Sequence, residues 1–167
     1  MTAPSSPAPA DAPAQAATAQ RQACHAVLAR AGTAELEAAW APWPQRLSVE
    51  PLRRAEPGLV MLRGRVAGSG APFNLGEATV TRCAVQLRQG VGEAAITGVG
   101  YTLGRDRRKA ELIACFDALA QLPEYAQALA DTVLTPLAQR QAQARQAMAD
   151  AAAGSQVAFF TMVRGET

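Results

Sequence analysis

A chain of 167 residues and 17.4 kDa carrying a net charge of +2 suits one domain, and folding at this size buries roughly 68–70% of the surface the unfolded chain exposes. Apolar residues make up 49%, yet 39 of them are Ala and only 32 are Leu, Ile, Val or Phe, so the core is thin and burial against a partner is favoured. No run of about 18 apolar residues is present, which argues against a membrane span, and residues 1–20 have neither a basic start nor a Leu-rich stretch, which argues against a secretory signal.

Residues 1–19 are mostly Pro, Ala, Ser and Thr with one charge, Asp11; such a segment does not offset its ordering entropy, so a disordered tail is expected, followed by a single domain over 20–167. A first helix is predicted from near Thr18 to Arg30, stopped by Gly32, with Cys24, Val27, Leu28 and Ala31 at helical spacing. A second takes Thr33 as N-cap, Glu35 and Glu37 in its first turn, and ends at Pro42 and Pro44. From Leu47 to Tyr101 the pattern becomes strand-like. Pro57-Gly58 reads as a turn, Val60 to Val66 as a strand, and Gly68 to Pro72 as a loop. In the next strand Cys83, Val85 and Leu87 alternate with Arg82, Ala84, Gln86 and Arg88. Gln89-Gly90 signals a hairpin, and Val91 to Tyr101 returns with glycines that mark a bulge or a close backbone approach. Asp106 then caps a helix whose buried face holds Leu112, Ile113, Phe116, Leu119 and Ala120. Pro123 opens another helix and Thr135-Pro136 a third, which stops at Gly154. The fold class is α+β, an antiparallel β-meander of about four strands flanked by N-terminal and C-terminal helices, with an extended partner-binding segment over 155–167.

Three well-separated cysteines and a single His, His25, leave no zinc set, and the expected setting is the reducing cytoplasm. No nucleophile with its base, phosphate loop or carboxylate pair is visible, and the strands lack the aromatics that stack RNA bases, so the residues describe a domain that binds rather than reacts. Residues 52–109 hold ten basic and four acidic side chains, and fifteen of the sixteen cations in the chain are Arg. This section, Arg82 included, reads either as a solvated sheet face or as a surface for an acidic protein or a phosphate. At Gly104-Arg105-Asp106 further cations crowd the positive end of a helix; an anion docked there would compensate them, as would solvation, with Arg107 pairing to Glu111. Near the end, Phe159, Phe160, Met162 and Arg164 lie in an apolar run that suits either a terminal strand of the same sheet or docking on a partner.

Leu52 to Met61, Asn74 to Val85 with its Gly76-Glu77-x-Thr79-x-Thr81-Arg82 core, Gly104-Arg105-Asp106, and Phe159 to Gly165 resemble, in order, the signature segments of the PhnG family. The resemblance runs over about residues 20–165, departing at Ala23-Cys24, where the family often has Trp-Met. It implies a non-catalytic subunit of the carbon–phosphorus lyase core complex, acting with PhnI, PhnH, PhnJ and PhnL subunits. In that family ribose triphosphate passes from ATP to an alkylphosphonate and adenine leaves. ATP is then the substrate of the complex. No cofactor is implied for this chain, no catalytic residue is carried over, and neither membrane nor nucleic acid is a partner. The rival reading is a stand-alone anion- or nucleic-acid-binding module.

Overall fold

The computed structural model describes residues 12–43, 47–65, 70–88, 90 and 94–154. In chain order it holds α1 (Ala12–Leu28), α2 (Thr33–Trp40), β1 (Ser48–Gly64), β2 (Phe73–Arg88), β3 (Ile96–Leu103), α3 (Arg107–Ala120), α4 (Pro123–Leu129), a π-helical turn (Ala130–Leu134) and α5 (Thr135–Gly154). The class is α+β, and β1, β2 and β3 form an antiparallel sheet in that order.

Three strands replace the expected four because Pro57-Gly58 is not a turn. β1 runs straight through it, with Pro57 opposite Thr81 and Gly58 opposite Val80. β1 is an edge strand, where a residue without an N–H can be tolerated, so the local turn signal yields to cross-strand pairing. The alternation of β2 is realised as read: Thr81, Cys83, Val85 and Leu87 are buried, and Arg82 faces solvent.

α3 lies across the buried face of the sheet. Gly98 and Gly100 allow this closeness: a Cβ on either would sit 2.0 Å from a carbonyl oxygen of α3, that of Ala114 or Ala110. Leu112 to Leu119 are buried all round, since α1, α2 and α4 also pack against α3. Trp40 meets Phe116 edge to face at 5.3 Å.

The helices differ from expectation at three ends. α1 begins at Ala12, so residues 12–19 of the expected tail are helical, in keeping with their Ala content and with Pro13 in the first turn, while 1–11 lie outside the described residues. α2 is capped by Gly32, whose N–H donates to Glu35 at 2.9 Å. Thr135-Pro136 does open α5, as read, but Thr135 is itself helical rather than an N-cap at a break. The Thr135 N–H donates to the Ala130 carbonyl, and this wider π turn accommodates Pro136 without breaking the rod from Pro123 to Gly154.

Candidate functional site

The turn from β3 into α3 is locked from two sides. The Gly104 N–H donates to the Thr79 carbonyl at 2.9 Å, and the buried Thr81 hydroxyl donates to the Gly104 carbonyl at 2.8 Å. Gly104 has φ +89°, a left-handed conformation that favours glycine. Asp106 caps α3 by accepting the Lys109 N–H at 2.8 Å, and it also accepts from the Thr33 hydroxyl, which ties in α2. The Thr33 hydrogen bond and the Lys109 amide hold the Asp106 carboxyl below its usual range. The negative charge at this helix start is therefore supplied by the chain itself. Arg105 is exposed and makes no hydrogen bond or ion pair among the described residues. Glu111 is met by Arg108 at 3.7 Å and not by Arg107.

A buried carboxylate, Asp117, joins α3 to α1 and to the free edge of β3. It accepts from Arg21 Nε at 3.0 Å and from the Val99 amide at 2.9 Å, and His25 Nε2 lies 3.2 Å away. Burial pushes this carboxyl up, but the hydrogen bonds from His25, Arg21 and Val99 outweigh it and hold the pKa at about 2. Beside this cluster, a groove of about 540 Å³ runs between α1 and β3, lined by Arg21, His25, Ala29, Val99 and Tyr101 among others.

The far end of the sheet has no core. Leu59, Val60, Met61 and Leu62 on β1 and Phe73 and Leu75 on β2 are all exposed, Leu59 at 64%. Val60 and Leu62 pair with Ala78 and Gly76, while Leu59 and Met61 pair with Thr79 and Glu77 on the opposite face, so the hairpin arm is apolar on both sides. Tyr101 and Leu103 extend this exposed apolar surface onto β3.

The two thiols buried beneath the sheet are unreactive. Burial pushes the Cys83 thiol up to about 11, and burial with the nearby Cys83 pushes Cys115 up to about 12, so both are neutral and poorly nucleophilic. Among the described residues no group of three or more His, Cys, Asp or Glu could hold a metal ion, and no helix is long and apolar enough to cross a membrane.

Residues 19–165 match the family described as phosphonate metabolism protein PhnG. The chain belongs to the PhnG family. A relative from Rhizobium meliloti (strain 1021), named alpha-D-ribose 1-methylphosphonate 5-triphosphate synthase subunit PhnG, is 42% identical over 151 residues, which cover 90% of this chain and 93% of the relative.

Two of the PhnG signature segments meet in space: Thr79 and Thr81 of the β2 segment grip Gly104 of the Gly104-Arg105-Asp106 segment. Arg82 is not part of that grip. It projects from the opposite sheet face and donates to Glu56 at 3.1 Å. Phe159, Phe160, Met162 and Arg164, with the whole 155–167 segment, lie outside the described residues. Sequence reasoning noted Asp117-Ala118-Leu119 only as part of the family-like segment after Gly104-Arg105-Asp106 and gave Asp117 no role, although a lone carboxylate inside the apolar run from Leu112 to Leu119 was a signal for one. It also missed the two-sided arm, since only Val60 and Leu62 read as one strand face.

Proposed function

We propose that this chain is the non-catalytic PhnG subunit of an alpha-D-ribose 1-methylphosphonate 5-triphosphate synthase, working in the cytoplasm. It holds PhnI, together with PhnH and PhnL, in the arrangement that moves ribose triphosphate from ATP onto methylphosphonate, within a core complex that also contains PhnJ. Bond-breaking belongs to those neighbours, and this chain binds no cofactor of its own.

The observation that carries the reading is the hairpin arm. Six large apolar side chains on one hairpin stay in solvent, and fully burying each such side chain contributes roughly 1.5–3 kcal/mol. Contiguous apolar surface of this kind marks an interaction site. The flanking arginines, Arg63 and Arg65, give it a polar rim suited to a partner.

Co-expression with the other subunits tests the proposal. Leu59→Asp with Leu62→Asp places charges at exposed positions, so the thermal midpoint of the isolated chain should stay unchanged. Recovery of the complex by affinity purification should fall to background. Full recovery of an active complex with both substitutions in place would remove the arm from the interface. Turnover of ATP and methylphosphonate by the isolated chain would overturn the non-catalytic role.

A further inference from the structure

We infer that the cleft between the bulged part of β1 and the first turns of α3 is a binding site for a phosphate-bearing small molecule. This goes beyond the subunit role and rests on different residues. The cleft has a volume of about 500 Å³, inside the roughly 300–1,000 Å³ typical of small-molecule pockets. Four arginines are among its lining residues, Arg53 and Arg54 from β1 and Arg107 and Arg108 from α3, against one acidic residue, Glu111, although the Arg53 guanidinium turns away to Glu56, which Arg82 of the opposite sheet face also bonds.

The placement of Arg54 is built by the backbone. Adjacent residues of a regular strand point to opposite faces. Here the register slips between Pro51 and Arg53 and again between Arg53 and Glu56, and the adjacent Arg54 and Ala55 both line the cleft. Bulges commonly re-aim a side chain in this way beside a functional site.

The charges are only partly answered. Glu56 bonds Arg53, and Glu37 at 3.1 Å with Glu111 at 3.7 Å answers Arg108. Arg54 and Arg107, one on each wall, have no hydrogen bond or ion pair among the described residues. Arg107 stands in the first turn of α3 and Arg54 on the strand across the cleft from it. A single partner carboxylate satisfies one guanidinium fork; two free forks on facing walls fit an anion with several oxygens. The floor, with Cys83, Val85 and Cys115, is apolar and its thiols are neutral, so the cleft retains a ligand without attacking it.

Calorimetric titration with inorganic tripolyphosphate tests this, on the full chain alone and in the assembled complex. Saturable binding is expected. Arg54→Ala with Arg107→Ala should weaken it by at least about tenfold, because hydrogen bonds to charged groups are lost. Arg54→Lys with Arg107→Lys should fall between, keeping charge without the fork. Arg145→Ala, on the exposed part of α5, should leave affinity unchanged, and thermal midpoints report whether each variant is folded. Absence of saturable binding in both forms, or binding indifferent to the double alanine variant, overturns the inference. So does loss of subunit co-purification by that variant when tripolyphosphate does not bind, which would make the cleft a protein contact. None of these results bears on the arm, whose variants read complex recovery instead.

Discussion

Asp117 is the residue on which the most structure converges. An ionised carboxylate at 1% side-chain exposure is costly unless every oxygen is answered, and here Arg21, His25 and the Val99 amide answer it. Its folded pKa of about 2 lies below the ordinary 3.8. A depressed carboxyl stabilises the fold at every pH above its unfolded value and loses that contribution as pH falls through its folded value. The interaction is worth about 2 kcal/mol by this linkage, present at pH 5–8 and lost between about pH 4 and pH 2. Asp117→Asn keeps the shape and removes the charge, so urea unfolding at pH 7 should show a loss of roughly 2–3 kcal/mol. At pH 2 the wild-type chain and the variant should converge. A constant difference between them across that range would mean that the stability effect has nothing to do with the carboxylate's charge.

At the scale of elements, the contact between α3 and β3 is set by missing side chains. The carbonyl oxygens of Ala110 and Ala114 occupy the space a Cβ would need at Gly100 and Gly98. Gly100→Ala therefore forces helix and strand apart; a loss of at least about 3 kcal/mol is expected, read as a lowered urea midpoint or as insoluble expression. By contrast, Gly58→Ala meets no atom within 4 Å and should be tolerated. A midpoint for Gly100→Ala within error of wild type would contradict this account of the packing. Legibility in the sequence follows the same divide. β2 and α3 could be read because period and burial coincide there, and the glycines of β3 announced a close approach that α3 makes. Pro57-Gly58 misled because it is a strong local signal answered non-locally, by pairing with Thr81 and Val80, whereas Thr135-Pro136 marked the start of α5 and hid only the π turn that leads into it. The place of Arg54 beside Ala55 on the cleft was invisible, since a bulge depends on the partner strand's register and leaves no periodic trace.

The whole molecule has a small dense centre and long projections. The centre is α3 with α2, α4 and the near half of the sheet. Around it, Ala14 to Gln20 of α1, the β1–β2 arm, and α5 beyond Gln141 are exposed, with Met148 at 74%. The thin apolar content foretold a small core, but not that the surplus chain would stand off it as rods and a hairpin. Helical ends without tertiary contacts are marginal and fray, because their stability in proteins comes mostly from packing. Trypsin therefore has natural targets at Arg63 and Arg65 by the arm and at Arg145 on α5, whereas Arg21 is held by Asp117 and Arg140 by Glu35 at 3.0 Å. Limited digestion of the isolated chain should cut first at Arg63, Arg65 and Arg145, leaving Arg21 and Arg140 intact. In the assembled complex the arm sites should become resistant, because a covered arm is out of the protease's reach. Mass spectrometry of the fragments separates the outcomes. If the arm sites are cut equally fast with and without the other subunits, the arm is not covered in the assembly, and the claim that its apolar surface is there for a neighbour fails.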